Sequence, residues 1–155
     1  MFVDEAIKLF SGLLTPVIAI VAVYIAWQQW QTNRQKLILD LYDRRLRIYE
    51  EVRKILSIIV RDAKASTDDL LKFRTLVAAA DFLFDPEVMA YIDAVYKRGL
   101  NLWLWSNQYR DATQQTPADY DHKKVVDEMQ KELLWFTEQF EPAKQLFMKH
   151  LNVSK

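Results

Sequence analysis

Two histidines, one arginine pair and one acid–histidine spacing are the residues of this chain whose types and positions invite chemistry. Asp119 and His122 stand three apart, a helical spacing at which a carboxylate and an imidazole can share a metal ion. A carboxylate-bridged di-iron bundle needs two such pairs and two further acids, so this single pair is set aside. Each histidine adjoins a lysine, as His122-Lys123 and Lys149-His150, the usual company of solvated side chains. Neither has an arginine within the preceding six residues, so the Arg-to-His spacing of HEPN-type helical nucleases is missing. GxxxxGK[ST], GxGxxG and GxSxG do not occur, and two glycines are too few for a phosphate cradle. Without cysteine there is no thiolate nucleophile, thiolate zinc site or disulfide. The sequence therefore points to a protein without enzymatic activity, cofactor or metal.

Arg44-Arg45 is the more informative pair. Arg45 falls in an apolar helical seam between Leu41 and Ile48, so its guanidinium must find a carboxylate, an anion or water. Two readings stand side by side. In one, several copies of the chain bring Arg44 and Arg45 together beneath a membrane, where they contact anionic lipid or phosphate or filter anions. In the other, Arg45 pairs within its own chain with an acid such as Asp81 or Glu138.

A membrane enters the argument through Leu9 to Trp27, LFSGLLTPVIAIVAVYIAW, nineteen residues without an ionisable side chain. As a helix this stretch covers about 28 Å, close to the hydrocarbon thickness of a bilayer. Phe10 at one end and Tyr24, Trp27 and Trp30 at the other are the expected interface anchors. Lys8 is the one base before the span, whereas Arg34, Lys36, Arg44, Arg45 and Arg47 follow it. The positive-inside rule then puts the N-terminus outside and the C-terminal part in the cytoplasm of a bacterial inner membrane. Met1 to Lys8 carries Asp4 and Glu5 in place of a basic n-region, so an anchor is expected rather than a cleaved signal peptide.

Ser11, Gly12, Thr15, Ala19, Ala22 and Ala26 form a stripe of small residues on the span, the kind of face on which helices in lipid associate. This stripe predicts a homo-oligomer. Pro16 removes one backbone hydrogen bond and predicts a bend.

The fold class expected is all-α, with the N-terminal transmembrane helix continuous with a long cytoplasmic helix in a four-helix bundle-like domain. Only two glycines and four prolines interrupt the chain, and no Asn-Gly or Asp-Gly hairpin signal occurs. Residues 1–30 form the transmembrane segment with its flanks, and 31–155 the helical domain. The first helix runs on to about Arg61 with two seams, Ile38, Leu41, Ile48, Val52, Ile55 and Ile59 beside Leu39, Tyr42, Leu46, Tyr49, Leu56 and Val60. Its outer face carries acid-to-base pairs such as Glu50–Lys54.

Ser66 and Asp69 mark the start of a second helix reaching about Phe84. Asp85-Pro86-Glu87 starts a third, to roughly Arg110. A fourth begins near Ala118, and Pro142 ends or kinks it at Glu141 before a short terminal segment. Trp103 and Trp105 lie about 200° apart on the third helix, so either one of them contacts another subunit or a neighbouring loop covers the second indole.

The segments YIAWQQWQTNRQKLILDLYDRRLRIYEEV, AAADFLFDPEVMAYIDAVYKRGLNLW and ELLWFTEQFEPAKQLFMKHL together resemble a family of small bacterial single-pass membrane-anchored helical proteins. The resemblance implies one N-terminal span followed by a compact helical domain, and it carries no catalytic residues. In layout alone the chain is also similar to the pore-forming membrane accessory proteins of RNA-targeting CRISPR systems, which implies action at the membrane in phage defence. The partners expected are the lipid bilayer, further copies of the chain and a cytoplasmic protein. Twenty-one basic residues balance twenty-one acidic ones, so no basic field argues for nucleic acid.

Overall fold

The computed structural model describes residues 2–151 apart from Ala112 and Thr116, and within the first helix it leaves undescribed the side chains of residues 2–11, Leu13 and Thr15. Among the described residues the chain is helical throughout, without strands, as the shortage of glycine and of hairpin signals predicts. α1 spans Phe2–Asp62, α2 Thr67–Leu76, α3 Pro86–Gln108, α4 His122–Glu138 and α5 Phe140–Leu151. A 3-10 turn, Ala78–Phe82, lies between α2 and α3.

Two compact units divide the chain, Met1–Asp40 and Leu41–Lys155. The second holds the core. Ile48, Val52, Ile55, Leu56 and Ile59 of α1 are buried together with Leu70 and Phe73 of α2, Val88, Ile92, Val95 and Leu102 of α3, Phe136 of α4 and Phe147 of α5. Every inward position predicted for α3 is buried, including Gly99, where a Cβ would meet Leu70 Cδ2 at 2.5 Å. Glycine lets α2 approach there. The upper positions of the α1 seams behave differently, because Ile38, Leu39 and Leu41 are exposed. Along α1 the first half-buried residue is Tyr42 and the first buried one is Ile48.

Three boundaries differ from those expected. α2 stops at Leu76, and the chain tightens into the 3-10 turn instead of continuing to Phe84. Ala78, Ala79 and Ala80 are good helix formers, so the change of winding is set by packing, with Ala80 fully buried. Ser66 is the N-cap residue of α2, yet its side chain makes no capping hydrogen bond. α4 begins at His122 rather than near Ala118, because Tyr120 N–H donates to the Pro117 carbonyl to close a turn and the Asp121 carboxylate accepts from Lys124 N–H at 3.0 Å. Finally, the break before α5 falls at Gln139, and Pro142 sits in the first turn of α5, where a missing N–H costs nothing. On the outer face of α1, Lys54 pairs with Glu51 at 3.5 Å rather than with Glu50.

α3 and α4 are joined by a polar clasp as well as by apolar packing. Arg98 Nη1 donates to Glu132 Oε2 at 3.1 Å, and its guanidinium lies 4.6 Å from the centre of the Trp135 ring. Glu132 is almost wholly buried, so this pairing is what makes its charge tolerable in the interface. Nearby, Tyr91 Oη donates to the Gln139 carbonyl at 3.4 Å, and burial holds its phenol well above the ordinary tyrosine range.

α1 is followed by Ala63, the one non-glycine residue with positive φ (51°) among the described residues. Left-handed backbone costs an L-residue about 1–2 kcal/mol. Ala63→Gly is therefore expected to stabilise the domain by about 0.5–1 kcal/mol, visible as a raised urea midpoint at unchanged slope.

Candidate functional site

Three places carry the residues that sequence reasoning selected or passed over. The first is the apolar stretch of α1. From Leu14 to Trp30 its large apolar side chains are exposed, from 48% at Ile25 to 70% at Ile20 and Val23. Ile20, Val21 and Val23 point in three directions around the helix, so the exposure is circumferential. Ala19, Ala22 and Ala26 are exposed too, and a Cβ built on Gly12 would meet nothing within 4 Å. The side chains of Phe10, Ser11 and Thr15, three of the residues assigned to the anchors and the small stripe, lie outside the described residues. Among the described residues no helix is long and apolar enough to cross a membrane.

At the C-terminal end of this stretch the aromatic rings contact their neighbours. Tyr24 and Trp27 have ring centres 6.4 Å apart, Gln28 Nε2 donates to Tyr24 Oη at 3.2 Å, and the Arg34 guanidinium lies 5.6 Å from the Trp30 ring centre.

The second place is Arg45. Its Nε donates to the Leu83 carbonyl at 3.0 Å and its Nη1 to the His150 carbonyl at 2.8 Å, while the guanidinium stands 5.8 Å from the Phe84 ring centre. These recorded bonds go to main-chain carbonyls rather than to Asp81 or Glu138. Leu83 caps the 3-10 turn and His150 lies in the last turn of α5, so one cation serves two C-terminal ends. The His150 ring meets Phe84 edge-on at 5.6 Å, with Nδ1 3.8 Å from Asp85 Oδ2.

The planar fork matters here. Arg45→Met is expected to destabilise the domain by about 2 kcal/mol, since it removes two charge-assisted bonds that join two helix ends to α1. Arg45→Lys should recover less than about half of that, because an ammonium cannot span the two acceptors as a guanidinium does. Urea denaturation of the three proteins measures both differences.

The third place is a cleft of about 440 Å³ between the end of α3 and the start of α4, which sequence reasoning missed. Trp105, Arg110, Asp119, Tyr120, Asp121 and Lys124 line it. Trp103 packs against the core, whereas the half-buried Trp105 shares the cleft with Tyr120 of the following loop.

The loop itself is fastened by its own polar groups. Asp111 Oδ1 accepts from Thr113 Oγ1 at 2.6 Å and from Thr113 N–H at 2.8 Å, and the hydroxyl bond above all holds the Asp111 carboxyl below its usual range. Tyr120 Oη accepts from Arg110 N–H at 3.0 Å and lies 3.3 Å from His122 Nδ1. The His122 ring is 5.6 Å from Tyr109 and 5.9 Å from Tyr120. The Asp119-x-x-His122 spacing thus leads to a tyrosine–histidine contact. A signal for the cleft was present in the sequence, where tyrosines, acids and bases crowd the ends of the loop between α3 and α4.

Compared with protein-family models, with curated proteins and with solved structures, the chain matches none of them.

Proposed function

We propose that this chain is a non-enzymatic single-pass membrane protein that self-associates through its N-terminal helix and acts at the membrane by perturbing or permeabilising it. The observation that carries the reading is the circumferential exposure of apolar side chains between Leu14 and Trp30. In water such a surface is strongly unfavourable, at roughly 25 cal/mol for each Å² left uncovered, whereas lipid tails cover it from every side. The orientation with the N-terminus outside and residues 31–155 in the cytoplasm of a bacterial inner membrane belongs to this proposal, as do the span from Leu9 to Trp27 and a role in phage defence. Arg44, exposed on α1, is assigned to anionic headgroups in this reading.

A second reading is a membrane-tethered module that binds a cytoplasmic protein. It is favoured by an apolar groove of about 390 Å³ between α1 and α2, where Leu71 and Leu76 are exposed beside Ile58.

The two readings separate by the mass of the detergent-solubilised complex. Self-association predicts a discrete multimer that Ala19→Leu combined with Ala22→Leu dissociates, because larger side chains hold the helices apart. In cells the wild type should then depolarise the membrane and slow growth, and the double variant should do neither. A monomeric, harmless wild type rules out the first reading.

A further inference from the structure

The cleft between α3 and α4 has features that neither the bundle nor a membrane anchor requires. Its volume of about 440 Å³ lies in the range of small-molecule sites. Two cations, Arg110 and Lys124, and two carboxylates, Asp119 and Asp121, line it together with the aromatic residues Trp105 and Tyr120. Several of these groups are held in place before any ligand arrives. Arg110 Nη1 donates to the carbonyls of Asn107 and Tyr109 at 3.0 and 3.1 Å, which fixes the guanidinium against the end of α3. The Tyr120 hydroxyl is pinned by Arg110 N–H, and the Asp121 carboxylate by Lys124 N–H.

From this balance we propose that the cleft binds a small zwitterion with a planar body, of the class of the aromatic α-amino acids. A phosphate ester would gain from Arg110 and Lys124 but be repelled by both aspartates, and a simple amine would meet the opposite conflict. A zwitterion uses both signs. Its carboxylate goes to Arg110 and Lys124, its ammonium to Asp119, and its ring lies against Trp105. Asp121 is the less available acid because it caps α4. The inference rests on the folded domain and not on the membrane reading.

The test uses the full chain in detergent micelles, with L-phenylalanine as the probe and isothermal titration as the readout. Saturable one-to-one binding is expected at millimolar or lower concentration. Phenethylamine, which lacks the carboxylate, and 3-phenylpropionate, which lacks the ammonium, should each bind about tenfold or more weakly. Asp119→Asn should weaken L-phenylalanine by about tenfold or more while restoring part of the affinity for 3-phenylpropionate, a reversal that general destabilisation cannot produce. Trp105→Ala should weaken all three ligands together. Absence of saturable binding up to about 10 mM, equal affinity for the three probes, or an Asp119→Asn protein indistinguishable from wild type overturns the proposal.

Discussion

Phe136→Ala is expected to cost the helical domain about 3–5 kcal/mol, the range for truncating a fully buried aromatic side chain. Phe136 is 0% exposed and lies in α4 beside Trp135, with ring centres 5.1 Å apart, in the core that joins α1, α2, α3 and α5. Removing the ring leaves a cavity that several helices border, and no single one of them can close it without losing contacts elsewhere. Because ordinary domains have only about 5–15 kcal/mol in all, the variant should show a sharply lowered urea midpoint. Phe82→Ala is the control. Phe82, on the 3-10 turn, is 89% exposed, so its truncation should change stability by less than about 0.5 kcal/mol. A loss at Phe82 comparable to that at Phe136 would mean that the core has been misplaced.

Those two phenylalanines show how far periodicity reads a helical fold. Phe136 recurs with Val125, Met129 and Leu133 at helical spacing, and Val125 and Phe136 are buried with the other two half-buried, because one stripe of an amphipathic helix is all that a neighbour can cover. The same logic placed Val88, Ile92, Val95, Gly99 and Leu102 of α3 inward without an error. It fails where winding changes. Phe82 sits where α2 gives way to 3-10 geometry, a switch that three consecutive alanines do not announce. Asp121 illustrates a different limit. Its capping of α4, and with it a start at His122 rather than near Ala118, depends on the turn that Pro117 and Tyr120 close.

Arg45 was legible in part for a related reason. Its register in an apolar seam requires a partner, and the demand is met, but by main-chain carbonyls that carry no sequence signature. Only the folded chain brings the end of the 3-10 turn and the end of α5 to one guanidinium. Glu132 was missed altogether. A charged residue between Lys131 and Leu133 looks solvated, and its burial depends on Arg98, thirty-four positions earlier in the chain. The Trp105 cleft belongs with these cases, since its walls come from two helix ends and the loop that joins them.

Ile18→Lys combined with Val21→Lys is expected to have the largest effect on where the chain resides. Each lysine at the centre of a membrane helix costs about 2.5–3.5 kcal/mol, so the pair opposes insertion by about 5–7 kcal/mol. Ile18 and Val21 are 59% and 50% exposed, so the substitutions remove no packing from the helical domain. The wild type should therefore sediment with membranes and resist alkaline carbonate, whereas the double variant should be released, with the urea transition of its domain unchanged. Leu37→Lys provides the comparison, because Leu37 is 72% exposed but lies beyond Trp27 and Trp30, past the proposed span. It should leave the partition as it is. A wild-type protein released by carbonate, or a double-lysine variant retained with the membranes, would remove the bilayer from the account of the Leu14 to Trp30 surface and require a protein partner to cover it.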